Sequence, residues 1–422
     1  MSYMPPTRFG TTESEDEQEN ERLHKLGPRG QLIHRCAACS TSAHQLLVCT
    51  GCKAVRYCSK EHQIQHRADH KAICSNIKKS RNKLNKEENL VRNATPDFMT
   101  PANAFETSVG HFWGILSTRD YMRARFALTV QLREAATLDS IAEMVDHYQD
   151  MLRLCRNDNM GIRDVLPCLL LQLDRDQECY DFVKWWMVES QVEEDWREGG
   201  ESYLSTHDAD AYEDVTYFDQ RFLDLNQAIA ILLLKIKLLV DVRSLRLCRK
   251  VLEGRNWPNE IINKVQLPSI SSPLSQKLVG LSIQELEALE DRLIVQCQKL
   301  GGYTCTANFH FWRNFWEAND HLEESGLPQY SSQGSWEEML LVFYHSHPAW
   351  WQIEGVMELL TIADRFAMGM RLKNIDMLAK QQEALMKDNP AFGPNMVGEV
   401  AGGRDMWMWM ERALKTQDRY LM

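Results

Sequence analysis

Apolar residues recur at three- and four-residue spacing through most of the chain after about residue 101, which places them on one face of an α-helix. In residues 138–155 these positions are Ile141, Met144, Val145, Tyr148, Met151 and Leu152. Asp139 is a candidate N-cap of that helix. The pattern predicts helices over 121–136, 138–155, 162–173, 177–188, 225–252, 283–300, 308–322, 336–343, 351–372, 375–387 and 404–421. The fold is therefore predicted to be mainly α.

The first four predicted helices form two consecutive antiparallel pairs, and a pair of roughly 34 residues suits a tetratricopeptide unit. The match to the consensus of that repeat is loose, so the prediction concerns shape. We expect a large α-helical, tetratricopeptide-like helix-pair domain over residues 101–422. Its segment 189–215 is rich in carboxylates and has a single arginine, Arg197. This acidic loop is expected to be solvated, with a docking strip for a basic partner as the alternative.

The N-terminal part divides into three segments of different composition. Residues 1–34 contain an acidic polar run at 13–19 without apolar periodicity, which predicts a disordered acidic tail. Residues 35–75, called the finger below, hold six of the twelve cysteines. Residues 76–100 begin with a lysine-rich, helix-prone stretch and are expected to be a basic helical linker. The finger and the helical domain are expected to have separate cores.

Charge and apolar content restrict the class of protein. A net charge of −11 argues against a general nucleic-acid-coating or membrane-surface protein. The first residues contain no apolar signal region, and the most apolar stretch, 228–240, is too short for a bilayer and contains two lysines. We therefore expect an intracellular protein of the cytoplasm, the nucleus or both. Its cysteines are then thiols or metal ligands rather than disulfides.

The finger contains two Cys-x2-Cys pairs followed by two ligand pairs at i and i+4. Zinc takes four thiolate or imidazole ligands in a tetrahedron, so eight ligands predict two Zn²⁺ ions. In the interleaved pairing, Cys36, Cys39, Cys58 and His62 bind the first zinc, and Cys49, Cys52, His70 and Cys74 bind the second. Sequential pairing would join the two Cys-x2-Cys pairs instead, and ligand count leaves both open. His66 and His44 are alternative histidine ligands.

The run Arg56-Tyr57-Cys58-Ser59-Lys60-Glu61-His62-Gln63, followed by His70-Lys71-Ala72-Ile73-Cys74, resembles the MYND finger family. The resemblance covers about a tenth of the chain and implies the interleaved, cross-braced pairing. His62 stands where the family usually has Cys, a substitution that zinc accepts. Arg67 stands where the family usually has a Trp that, with the Gln matching Gln63, lines a groove for proline-containing peptides. Gln63 and Arg67 are therefore candidate peptide-binding residues.

Eight ligands fill the coordination of two zinc ions and leave no position for a reacting water, so the zinc is expected to be structural and the protein not an enzyme. The whole chain resembles uncharacterised fungal MYND-finger proteins that have a C-terminal helical domain, most of all over residues 151–186. These features predict a zinc-binding interaction, scaffold or regulatory protein whose partners are proteins or peptides, proline-containing peptides among them.

Two other classes of protein compete with this prediction. SET-and-MYND lysine methyltransferases resemble one another in an Asn-His-Ser-Cys segment and a Gly-Glu-Glu segment, and neither occurs here. The residues before Cys36 are also too few and too polar for the first part of that fold. A transcription-associated DNA-binding protein would show a steep dependence of binding on salt.

Overall fold

The computed structural model describes residues 31–42, 45–191, 203–220, 223–252, 258–353 and 355–369. Most of them are helical, as the periodicity predicts. The strands β1 (Leu47–Val48) and β2 (Arg56–Tyr57) pair antiparallel inside the finger. The helices are α1 (Lys60–Gln65), α2 (Arg67–Arg92), α3 (Ala104–Thr107), α4 (Arg119–Arg133), α5 (Leu138–Leu154), α6 (Ile162–Gln172), α7 (Asp176–Met187), α8 (Leu225–Leu252), α9 (Asn259–Gln266), α10 (Ile283–Ala307), α11 (His310–Asn314), α12 (Ala318–Ser325) and α13 (Trp336–Trp350), followed by a helical segment at 356–369.

Several predictions fall on residues that the structure does not describe. The acidic tail is described only from residue 31 onward, and the predicted helices at 375–387 and 404–421 lie outside the described residues. Among the described residues, the two predicted helix pairs are present as α4–α5 and α6–α7, with ends within three residues of those expected. The kinship of these pairs with tetratricopeptide repeats stays a prediction.

The N-cap of α5 differs from the one expected. Thr137 holds that position, and its side chain accepts a hydrogen bond from the backbone of Ser140, whose side chain in turn accepts one from the backbone of Thr137. This reciprocal pair satisfies two of the free amides at the start of the helix. Asp139 lies in the first turn instead, and its carboxylate binds Arg56. The prediction of an Asp139 cap was therefore wrong.

Helix α8 lies at the centre of the helical domain, and residues 227–239 of it are buried on every side. It packs on α10, α6, α13 and α7. Lys237 is fully buried and donates to Asp174 at 2.7 Å and to Asp176 at 2.9 Å, so its charge is compensated. Burial among other helices explains the apolar stretch noted in the sequence. None of the helices in the described ranges is long and apolar enough to cross a membrane.

The acidic loop is only partly a solvated segment. In its described part, Ala211, Tyr212 and Val215 are buried in the core. The buried Lys235 of α8 donates to the carbonyl oxygens of Ala211 at 2.7 Å and Glu213 at 2.9 Å. The expectation of a solvated loop was therefore wrong for residues 211–215, whose side chains are partly in the core and whose backbone satisfies a buried lysine.

Helix α13 is longer than the predicted helix, which ended at residue 343. Residues 344–350 were predicted to lie between two helices, but they continue α13, and His347 is buried there. Trp351 donates to its Nε2 at 3.2 Å, and burial lowers the pKa of His347 to about 4. The ring of His347 packs against Phe315 in the core, and α13 continues through Pro348.

The finger and the helical domain share one core, so the expectation of separate cores was wrong. Helix α2 supplies two finger ligands, His70 and Cys74, and continues past the expected boundary at residue 75 to Arg92. Its buried residues recur every seven positions, which places them on one side of the helix: His70, Ile77, Leu84 and Val91. This side packs on α4. The first part of the expected linker is thus the continuation of a finger helix.

Candidate metal centre

The first ligand cluster joins residues from three parts of the finger. Cys36 and Cys39 come from the first turn, Cys58 follows β2, and His62 lies in α1. The Sγ atoms of Cys39 and Cys58 are 3.8 Å apart, and His62 Nδ1 is 3.0 Å from Cys58 Sγ. Ser59 caps α1 by accepting a hydrogen bond from the backbone of His62 at 3.3 Å. The cap fixes where α1 begins and thereby positions the imidazole.

The second cluster lies between the turn after β1 and the start of α2. Cys49 Sγ is 3.8 Å from Cys74 Sγ, and Cys52 Sγ is 3.5 Å from His70 Nε2. The turn approaches α2 so closely that a Cβ atom on Gly51 would lie 2.8 Å from Cys74 Sγ. The sequence therefore needs a residue without a side chain at position 51.

The donor geometry fits two zinc ions. Within each cluster, one ligand atom from each residue lies within 4.8 Å of the other three. A tetrahedron with Zn–S bonds of about 2.3 Å has S–S edges of about 3.8 Å. Both S–S separations measured above are 3.8 Å. The clusters are the interleaved sets, so the finger is cross-braced and sequential pairing is excluded.

Burial and backbone amides set the protonation of the ligands. Burial raises the pKa of Cys36, but hydrogen bonds from the backbone of Cys58, Ala38 and Cys39 outweigh it and lower the value to about 6. At Cys52, burial dominates and raises the thiol pKa to about 12. Burial also lowers the pKa of His70, which favours the neutral imidazole that a metal needs. A cation in the second cluster would therefore have to displace the Cys52 proton.

The structure also decides between the candidate histidines in the described part of the finger. His66 is turned toward Tyr57, and its Nδ1 is 3.1 Å from the Tyr57 hydroxyl. Its ring stacks on His70 at a centroid distance of 5.8 Å, which supports the ligand without joining the cluster. His44 lies outside the described residues. His62 and His70 are the histidines that complete the two clusters.

A comparison with family models matches residues 36–74 to the MYND finger. The matched segment begins and ends on ligands of the two clusters, Cys36 and Cys74. Residues 36–74 form a MYND finger. No curated protein and no solved structure matches the chain. The resemblance of the whole chain to fungal MYND-finger proteins therefore stays a prediction.

The two candidate peptide-binding residues lie on consecutive helices of the MYND finger. Gln63 is half-buried in α1, and Arg67 is the exposed first residue of α2. Ile64 beside them is 72% exposed, and Leu47 on β1 is 52% exposed. The finger thus presents apolar side chains together with the amide and the guanidinium.

Four polar contacts that sequence reasoning missed join the MYND finger, α2 and the start of α5. The Thr137 hydroxyl donates to the carbonyl oxygen of Ala54, and Arg56 forms an ion pair with Asp139. Arg81 donates to the carbonyl oxygen of Cys52 at 2.8 Å and forms an ion pair with Glu143. The partners are separated by 29 to 83 positions in the sequence, and no local pattern marks them.

Proposed function

We propose that this protein is a non-catalytic, zinc-dependent interaction or scaffold protein. MYND fingers are protein-interaction modules. The observation that carries the proposal is that each cluster offers four protein ligands, which fill the coordination of a tetrahedral zinc ion. The zinc then has a structural role and holds a binding surface in place. The shared core supports a scaffold role, because it keeps that surface fixed relative to the helices.

The proposed ligand surface is built around Gln63, Ile64 and Arg67, which lie on α1 and at the start of α2. An amide next to exposed apolar side chains suits an extended peptide, which offers both backbone carbonyls and apolar side chains. The aliphatic stem of Arg67 can cover part of an apolar ligand, as the family's usual Trp does, while its guanidinium stays in water. Proteins or peptides are therefore the proposed partners, with proline-containing peptides among them.

A peptide panel tests this proposal on the full-length protein. Fluorescent peptides of one length, half with prolines and half with those prolines replaced by alanine, are titrated against the wild type and against a Gln63→Ala, Arg67→Ala double variant. Loss of a buried hot-spot contact costs about 2 kcal/mol, so we expect affinity for the bound peptides to fall at least tenfold. Lys264→Ala, an exposed change on α9, is the control and should bind as the wild type does. Equal binding by all three proteins would contradict the proposed surface.

A protein lysine methyltransferase is the competing function. The absence of the SET-type Asn-His-Ser-Cys and Gly-Glu-Glu segments from the sequence argues against it. Incubation of the purified protein with labelled S-adenosylmethionine and histones should transfer no label. Transfer above the level of a heat-denatured sample would overturn the non-catalytic proposal.

DNA binding is a third candidate function. Neutralising each phosphate releases counterions, so specific binding to duplex DNA would weaken steeply as salt rises. With a net charge of −11 on the whole chain, we expect no retention of duplex DNA at physiological salt. A salt-titrated binding assay on duplex DNA distinguishes this function from peptide binding.

A further inference from the structure

The exposed face of α2 is strongly basic although the protein as a whole is acidic. Residues 71–86 contain five exposed lysines and no carboxylate: Lys71, Lys78, Lys79, Lys83 and Lys86. These five residues are called the lysine face below. It lies opposite the buried side that packs on α4. Like charges at neighbouring positions of a helix repel one another and destabilise it. An anionic partner would relieve this repulsion, so the lysine face favours one.

The lysines of this face do not form ion pairs with carboxylates in the part of the chain that the structure describes. Two arginines of α2, by contrast, are paired, Arg81 with Glu143 and Arg92 with Glu88. Some lysines elsewhere also have carboxylate partners, as Lys299 has in Asp214. Within the described ranges, none of the five lysines of the face lies in an ion pair with a carboxylate.

The sequence supplies one segment of matching charge. Residues 13–21 contain six carboxylates and no basic residue: Glu13, Glu15, Asp16, Glu17, Glu19 and Glu21. The other dense acidic run, residues 193–201, has five carboxylates interrupted by Arg197. Residues 13–21 are therefore the better complement to the lysine face.

The intervening chain gives residues 13–21 a long reach from the first described residue. The described chain begins at Gln31, whose side chain donates to Asp174 between α6 and α7, and His34 lies 3.7 Å from Asp139 of α5, the helix whose Glu143 binds Arg81 of α2. Nine residues separate Glu21 from Gln31 and span up to about 30 Å when extended. The lysine face itself is about 22 Å long at the helical rise per residue.

We propose that residues 13–21 bind the lysine face of α2 within the same chain. Each exposed lysine–carboxylate pair is weak. Because the acidic segment belongs to the same chain, however, its effective concentration at the lysine face is in the millimolar range. The contact covers a basic surface that an acidic polypeptide of a partner would otherwise occupy. It is independent of peptide binding at Gln63 and Arg67, so either proposal can fail without the other.

Carbodiimide cross-linking of the full-length protein tests this contact. The reagent condenses a carboxylate with an adjacent amine to an amide, with loss of water, and mass spectrometry maps the joined residues. We expect cross-links from residues 13–21 to the lysine face, and a decrease of severalfold between about 0.02 M and 0.5 M salt, because screening shortens the range of the charges. Lys264 on α9, which is also exposed, is the matched reference lysine.

Two variants complete the test. The first replaces the tail charges by Glu13→Gln, Glu15→Gln, Asp16→Asn, Glu17→Gln, Glu19→Gln and Glu21→Gln, and the second carries Lys78→Gln, Lys79→Gln, Lys83→Gln and Lys86→Gln. The lysine variant should keep the wild-type circular dichroism, because its four altered lysines are exposed. The tail variant should bind a soluble peptide of residues 10–24 at least tenfold more tightly than the wild type does. Equal binding, cross-links to Lys264 as frequent as those to Lys78, or retention of duplex DNA on the lysine face of the wild type would overturn the proposal.

Discussion

Arg56 in β2 donates two parallel hydrogen bonds to Asp139 in α5, from Nε to Oδ2 at 2.6 Å and from Nη2 to Oδ1 at 2.8 Å. Both side chains are largely shielded, with 27% and 21% of their surface exposed. A bidentate pair in this environment fixes orientation as well as distance. Because β2 lies between the ligands Cys52 and Cys58, the pair holds both zinc sites against the helical domain.

Asp139→Asn should lower the free energy of unfolding by about 1–3 kcal/mol, because the amide loses the charge and one of the two acceptor positions that Arg56 uses. Urea denaturation followed by circular dichroism measures the change. Asp120→Asn is the matched control, since its pair with Arg123 is 73% exposed at the carboxylate and should contribute less than about 1 kcal/mol. Equal effects of the two substitutions would show that the Arg56–Asp139 pair does not hold the finger in place.

Cys52→Ala should affect more than the finger. The wild type is expected to hold two equivalents of zinc by mass spectrometry, and the variant one, because the second cluster loses a ligand. The carbonyl oxygen of Cys52 accepts from Arg81, and the finger shares its core with α4 and α5, so we also expect a lower midpoint of helical unfolding. Cys248→Ala in α8, outside both clusters, is the control and should retain both ions. A variant with unchanged helical stability would favour separate cores after all.

Gly51→Ala should weaken the second zinc site selectively. The added Cβ would lie 2.8 Å from Cys74 Sγ, so the ligand has to move. Displacing one ligand should lower zinc affinity by about tenfold or more, the range seen when groups that orient metal ligands are altered. Competition with a chromophoric chelator measures the two affinities. Gly280→Ala, where an added Cβ meets no atom within 4 Å, should leave both unchanged.

Buried histidines should make the stability of the helical domain depend on pH. Burial lowers the pKa of His347 to about 4 and that of His345 to about 3, whereas an unfolded histidine titrates near 6.5. Well above pH 6.5 these histidines are neutral in both the folded and the unfolded chain, and they do not change the stability. As the pH is lowered from about 6.5 to 4, the unfolded chain binds more protons than the folded chain. The free energy of unfolding therefore decreases by up to about 1.4 kcal/mol per pH unit for each histidine.

The comparison of wild type with His347→Gln isolates this effect from acid release of zinc, which both proteins share. Glutamine offers an acceptor for the Trp351 indole in place of His347 Nε2 and does not titrate. The slope of unfolding free energy against pH should be smaller in the variant by about 1.4 kcal/mol per unit between pH 6 and 4.5. Identical slopes would mean that His347 titrates normally in the folded protein.

Local spacing was enough to predict much of the molecule. The four helices of the two pairs, α8 and the six cysteine ligands all follow from patterns within short stretches of chain. Predictions failed where a distant residue decides the outcome. Aspartate is a common N-cap residue, but the carboxylate of Asp139 accepts from Arg56 and the N-cap of α5 is Thr137. The predicted end of α13 at residue 343 was wrong. The contact of His347 with Phe315 joins residues that are distant in the sequence, so the local pattern does not reveal it.

The sequence by itself determined the six cysteine ligands and which helical faces are apolar, because both depend on the spacing of neighbouring residues, whereas the choice between His62 and His66 was decided by the structure. Ligand count left the pairing of the eight ligands open, and only the convergence of donor atoms in space gives the two clusters. The attachment of the finger to α5 was likewise decided by tertiary structure. Contacts such as Arg56 with Asp139 join positions 83 apart, and they form only when packing brings the two segments together.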